Sequence, residues 1–231
     1  MKKALISLCL SVTLLTLSPS SFAHYVRAER PVVPGESVSA WFRAYDDLHL
    51  GATGLKREVF EYALRGLQKM DAKPIISIVD MSQPSTKKRL YVIDLENKKL
   101  LFNTFVSHGR NTGELMASSF SNVNSSNKSS LGFYKTLGTY VGKHGVSLKL
   151  KGLEKGFNDN AYERAIVLHG ADYVCEDFVR RTGRLGRSQG CPAVPNDVSQ
   201  KIIDAVKGGT CLFVYFPDQD YIKKSTYLAA L

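Results

Sequence analysis

Three runs, Ile75-Ile76-Ser77-Ile78-Val79, Leu90-Tyr91-Val92-Ile93 and Leu100-Leu101-Phe102-Asn103-Thr104-Phe105-Val106, decide the fold class. Each is short and dominated by branched and aromatic side chains, the composition that fills a buried strand. Glu96-Asn97-Lys98-Lys99 separates the last two and predicts a hairpin turn. Further strands are expected at Ser147 to Leu150, Ala165 to Leu168 and Cys211 to Tyr215, with a helix from Asn196 to Val206 whose Asp197 falls in the first turn. On the amino-terminal side, Val59, Phe60, Ala63, Leu64 and Leu67 recur at three- and four-residue spacing within Lys56 to Met70, which puts them on one face of a packing helix. Residues 24 to 54, with Pro31, Pro34, Gly35, Gly51 and Gly54 and little periodicity, read as an irregular arm. The sum is a mainly β domain with a few helices and no internal repeat. Residues 117 to 130, rich in serine and asparagine, form a long polar loop of the kind used as a lid or binding loop.

The chain has 231 residues, enough for one domain with its own core plus an export signal. Lys2 and Lys3, the apolar stretch Ala4 to Leu17 and the small residues of Ser21-Phe22-Ala23 have the order of a cleaved secretory leader. That stretch is shorter than the roughly 20 residues a membrane span needs. Cys9 sits inside it instead of at its end, which argues against a lipid anchor. The expected organisation is residues 1–23 as signal peptide, 24–72 as arm and helix, and 73–231 as the β-rich domain, with export to the periplasm or cell surface and no integral membrane segment after cleavage.

The formal charge of +10 falls by two, to +8, when Lys2 and Lys3 leave with the leader. Such a field favours anionic partners. The basic residues are spread along the chain without a zinc-finger, helix-turn-helix or aromatic RNA-binding signature, so nucleic acid is not expected. Cell wall and lipid are the anionic partners that an exported protein meets. Cys175, Cys191 and Cys211 remain after cleavage, and an odd count in an oxidising compartment leaves a free thiol. Cys211 lies in a strand-like apolar run and reads as a buried structural thiol; Cys175 has no comparable setting.

Gly186-Arg187-Ser188-Gln189-Gly190-Cys191-Pro192 carries the chemistry. Glycine before and proline after the cysteine break regular structure, so the thiol is presented on a turn whose backbone N–H groups can be aimed at a developing oxyanion. A nucleophilic thiol needs a base, and Ala165 to Gly170 is an apolar strand that ends in His169. Pairing with imidazole favours the thiolate. His108-Gly109 and His144-Gly145 are competing histidine-glycine pairs that spacing does not separate from His169-Gly170. His108 ends a strand just before the polar loop and is a candidate contact to the substrate or to the site residues. Ser125-Ser126-Asn127-Lys128 matches the serine-x-x-lysine pattern of penicillin-binding proteins, but nothing around it predicts the helix which that pattern requires. There is no His-Glu-x-x-His run, phosphate loop or dinucleotide-binding glycine pattern, so no metal and no cofactor is expected.

His169-Gly170 followed by Ser188-Gln189-Gly190-Cys191 resembles the signature of the L,D-transpeptidase catalytic domain. The run Gly183 to Val194, with Phe120-Ser121-Asn122 and Ser130-Leu131-Gly132-Phe133-Tyr134 upstream, is similar to the divergent murein L,D-transpeptidase branch, over roughly residues 56 to 217. The resemblance implies a β-sandwich or barrel with an amino-terminal helical extension, Cys191 as nucleophile and His169 as general base. It further implies the Gly170 carbonyl as orienter of the imidazole, the amides of Gly190 and Cys191 as oxyanion hole, and Ser188 as support for the loop. Asp172, Glu176 or Asp177 is the alternative orienter. The implied reaction is acyl transfer on peptidoglycan stem peptides, with an L,D-carboxypeptidase or an inert wall-binding module as alternatives. Better-known relatives place an apolar residue and then arginine after the cysteine, where this chain has Pro192 and Ala193, and Arg187 is the candidate to supply that charge to the substrate. Oligomeric state is not legible.

Overall fold

In the computed structural model the described residues are 34–229; the expected leader and the first part of the arm lie outside them. The rest of the arm is helical, not irregular. Helix α1 spans Pro34–Asp47, a 3-10 turn follows at Leu50–Thr53, and α2 spans Arg57–Gln68. Proline is tolerated in a first helical turn because its missing N–H has no intrahelical partner there. Trp41, Ala44, Tyr45 and Leu48 then return at helical spacing onto the core, and the Tyr45 hydroxyl donates to the Leu55 carbonyl at 2.7 Å. Helix α2 buries Val59, Phe60, Ala63, Leu64 and Leu67, the face that its spacing predicts.

The strands are β1 (Ile75–Asp80), β2 (Leu90–Asp94), β3 (Lys99–Thr104), β4 (Gly132–Gly142), β5 (Gly145–Gly152), β6 (Val167–Ala171), β7 (Ala193–Pro195) and β8 (Cys211–Tyr215). They form one sheet in the order β3-β2-β1-β8-β4-β5-β6-β7, with β1–β8 and β6–β7 parallel and the other pairs antiparallel. The chain beyond β3 bridges back to the far edge: Ser107 N–H donates to the Ala193 carbonyl at 2.8 Å, and Gly109 bridges Ser188. The sheet therefore comes close to closing as a barrel, and the closing seam runs through the cysteine turn. Helix α3 (Glu176–Thr182) lies between β6 and β7, α4 (Asn196–Val206) between β7 and β8, and α5 (Gln219–Lys224) near the carboxy terminus.

Helices and sheet bury one main core, in which Phe133 of β4 stacks on Phe213 of β8 with centroids 4.2 Å apart. Each such fully buried side chain contributes about 1.5–3 kcal/mol relative to exposure. Strand β5 extends beyond the expected Ser147 to Leu150 at both ends, and β3 stops at Thr104 instead of Val106. Strand β4 is not predicted by apolar spacing, because its glycines at 132, 138 and 142 dilute the alternation. Strand β6 begins at Val167 instead of Ala165, because Ala165 adopts a left-handed conformation (φ 53°) that no strand tolerates. His169 is thereby mid-strand, hydrogen-bonded between β5 and β7, and not at a strand end.

Candidate active site

Parallel pairing of β6 with β7 sets His169 opposite Ala193, two residues after Cys191. The register thus carries thiol and imidazole to one cleft of about 610 Å³, whose walls also include Ser188, Gln189, Arg187, Arg164, His144 and Lys143. The polar loop contributes Asn124, Ser125 and Asn127 to the same cleft, so it lines the site and contains no helix. The serine-x-x-lysine match within it is a coincidence of composition.

The imidazole has a defined tautomer. His169 Nδ1 lies 2.8 Å from the Gly170 carbonyl, which can only accept, so Nδ1 carries the proton and Nε2 keeps its lone pair. No carboxylate takes this place: Glu176 and Asp177 pair with Arg180, and Asp172 is exposed. Gly170 also permits a close approach, since a Cβ there would come within 2.5 Å of Asn196 Oδ1 on α4.

The thiol is held from one side by the segment before β6. Val167 N–H donates to Cys191 Sγ at 3.5 Å, and Sγ lies 3.7 Å from the Ala165 carbonyl. His169 is not among its hydrogen-bond partners. Burial pushes the Cys191 thiol up, an effect opposed by the Val167 N–H and by the charges of Arg164 and Lys143. Burial likewise lowers His169 below its usual range, against the bond to Gly170 O, while His144 and Lys143 lower it further. Both shifts favour uncharged forms. Burial thus acts on the thiol and the imidazole against the thiolate that pairing would favour.

The turn itself is braced by Ser188, whose Oγ accepts from Gly190 N–H at 3.0 Å and donates to the Cys191 carbonyl at 2.7 Å. Gly190 has φ 125°, reserved for glycine, and a Cβ there would lie 2.8 Å from the Lys128 carbonyl. Since Ser188 takes the Gly190 N–H, only the Cys191 N–H of the two anticipated amides has no acceptor among the described residues.

Arg187 reaches the cleft wall, and its Nη1 donates to the carbonyls of Arg110 and Gly113, each at 3.1 Å, and to Glu114. Glu114 also holds Arg184. His108 lies elsewhere. It is fully buried, its Nδ1 accepts from Arg89 at 2.7 Å and its Nε2 faces the Gly113 carbonyl at 3.2 Å, while its backbone carbonyl accepts from Ser188 N–H at 3.0 Å. The structure does not bring its ring to the cleft.

Two groups escaped the sequence reading. His144, on the β4–β5 turn, stacks on His169 with centroids 4.3 Å apart; its histidine-glycine pair was visible, but which of three such pairs share a site depends on strand order. Arg164 has no local signal at all. Cys175 proves to be a helix cap, its sulfur accepting from Phe178 N–H at 3.4 Å, and Cys211 is buried; among the described residues all three cysteines are free. Among the same residues no group of three or more His, Cys, Asp or Glu side chains is placed to hold a metal.

No curated protein matches the sequence. Solved structures do. An L,D-transpeptidase from Mycobacterium smegmatis is 13% identical over 62% of this chain and 59% of its own, with a TM-score of 0.38. L,D-transpeptidase 3 from Mycobacterium tuberculosis is 13% identical over 62% and 61%, with a TM-score of 0.38. The helical cell shape determining protein from Campylobacter jejuni is 15% identical over 65% and 50%, with a TM-score of 0.43. The chain thus spans between half and about three fifths of the length of these proteins. The sequence model of the L,D-transpeptidase catalytic domain matches residues 51–215, and this chain belongs to that family.

Proposed function

We propose that the protein is an exported cysteine acyltransferase acting on peptidoglycan stem peptides, with Cys191 as nucleophile and His169 as general base. What carries this reading is one arrangement: the Nδ1–H of His169 is committed to the Gly170 carbonyl, which frees Nε2 as a base in the cleft that Cys191 also lines. Rotation of the thiol from Ala165 O toward Nε2 would complete the pair.

In the proposed reaction the thiol proton passes to His169 Nε2 as sulfur attacks the carbonyl of the third stem residue. The carbonyl oxygen takes up negative charge beside the Cys191 N–H. Collapse forms the thioester, breaks the bond to the terminal D-alanine, and returns the proton from imidazolium to the leaving amine. An amine of a neighbouring stem then attacks the thioester, giving a cross-link and restoring the thiol. Water in place of the amine makes the enzyme an L,D-carboxypeptidase. Residues 1–23 act as the leader, with the catalytic domain from residue 73 working outside the cytoplasm; among the described residues no helix is long and apolar enough to cross a membrane.

A carbapenem should add its mass to the wild-type chain and not to Cys191→Ala. Muropeptide digests then separate the two fates, dimers marking transfer and tripeptides marking hydrolysis. An adduct that persists on Cys191→Ala removes the proposal, as does a wild-type chain that neither acylates nor changes muropeptides, which leaves an inert wall-binding module.

A further inference from the structure

We propose that Arg164 is a positioning residue of this site: it fastens the serine- and asparagine-rich loop against the cysteine turn and sets an uncompensated positive charge in the wall of the cleft that the thiol also lines. Its guanidinium is spent on the loop. Nη1 donates to the Ser121 carbonyl at 2.8 Å and to Ser130 Oγ at 3.2 Å, and Nη2 donates to the Lys128 carbonyl at 2.6 Å and to Ser126 Oγ at 3.3 Å. None of these acceptors is a carboxylate, and among the described residues Arg164 makes no salt bridge, in contrast to Arg187, which Glu114 neutralises.

The latch reaches the nucleophile from two directions. The Lys128 carbonyl that Arg164 holds is the same oxygen that packs against Gly190, and the adjoining Ser129 donates from Oγ to the Gly190 carbonyl at 3.1 Å. Arg164 thus fixes the surface on which the turn rests. From the other side, Arg164 directly precedes Ala165, whose strained left-handed backbone aims its carbonyl at Cys191 Sγ, and Val167 supplies the N–H to the same sulfur. A non-glycine residue is disfavoured in that conformation and persists where neighbours over-determine it. The four hydrogen bonds one residue earlier are such a constraint. A half-buried guanidinium in the wall of the same cleft is screened less than a surface charge, so it favours the thiolate over the thiol.

The inference rests on Cys191 being the reactive thiol, and its test needs no turnover. In the full chain, the rate of iodoacetamide alkylation at the Cys191 peptide is followed by mass spectrometry from pH 6 to 10 for wild type, Arg164→Gln and Arg164→Lys, alongside limited proteolysis of residues 117–130. Arg164→Gln should raise the thiol's titration midpoint by about half a unit or more, which is a threefold or greater loss of thiolate near neutrality. Arg164→Lys keeps the charge and loses the fork, so its midpoint should stay with wild type while the loop is cut faster. An unshifted midpoint in a folded glutamine variant overturns the electrostatic role, and loop cleavage at the wild-type rate in the lysine variant overturns the latch. Should the glutamine variant not fold, the lysine variant decides alone. Acyl transfer that survived Cys191→Ala would sink the proposed function while leaving this titration readable.

Discussion

Acid should destabilise the protein through His108, a group that takes no part in the proposed chemistry. Its ring accepts from the Arg89 guanidinium through Nδ1 and donates to the Gly113 carbonyl through Nε2, so it has no lone pair left for a proton. Protonation would set N–H against N–H and one cation against another in the interior. Burial and then Arg89 accordingly push His108 down to about 4 from its ordinary 6.5. The sign follows from linkage. The unfolded chain takes up a proton near pH 6.5 and the folded one only near pH 4, so the contribution is complete above 6.5 and is lost as pH falls. Those two values give a loss of about 2 kcal/mol at pH 5 and roughly 3 kcal/mol at pH 4. Urea unfolding of wild type and His108→Gln from pH 8 to pH 4 measures it, because glutamine presents an acceptor and a donor but does not titrate there. Carboxylates and His169 contribute equally to both curves, so the difference isolates this ring. Parallel curves for the two proteins would refute the reasoning.

Ser188→Ala removes both bonds that brace the cysteine turn and leaves a buried N–H without its partner; at about 1 kcal/mol per bond plus the cost of the orphan, stability should fall by about 3 kcal/mol. That corresponds to a melting point roughly 6–12 °C lower, accompanied by slower carbapenem acylation; an unchanged melt would mean that water replaces the hydroxyl. The pH dependence of kcat/KM should rise through an apparent ionisation below 6.5, since burial lowers His169, and then level through neutrality; a profile flat from pH 5 to 9 would count against the pairing. Arg187 is already paired with Glu114, so Arg187→Ala should change KM for a carboxylate-bearing stem by less than about twofold, and a tenfold rise, equivalent to 1.4 kcal/mol, would return it to substrate binding.

Elements whose signal is local were legible in the sequence. Helix α2 announces its buried face through Val59, Phe60, Ala63, Leu64 and Leu67, and strands β1, β2 and β8 are continuous apolar runs. Helix α1 was not read, because Pro34, Gly35 and the glycines near 51 to 54 mask the spacing of Trp41, Tyr45 and Leu48. The start of β6 was misplaced because Ala165 gives no hint of its positive φ, which tertiary contacts impose. The site divides the same way. A turn between glycine and proline marks Cys191, whereas the partners of Arg164 lie 34 to 43 residues away in sequence and only the fold brings them together.

Holding the base by a carbonyl has an electrostatic consequence for the proposed mechanism. A carboxylate at Nδ1 would add a full negative charge, raise the imidazole and favour a resting ion pair. The Gly170 carbonyl fixes the same tautomer with a dipole alone, so burial prevails and disfavours the charged form of each partner. The positive groups then act with opposite sense on the two partners. Arg164 and Lys143 stabilise sulfur when it becomes an anion, while Lys143 and the stacked His144 disfavour the imidazolium formed in the same step. A proton so poorly held passes readily to the departing amine of D-alanine, which favours collapse toward the thioester over return to the thiol. Replacing His144 by a neutral residue should therefore raise the apparent ionisation of His169 and slow thioester formation relative to substrate binding, and the two effects should appear together.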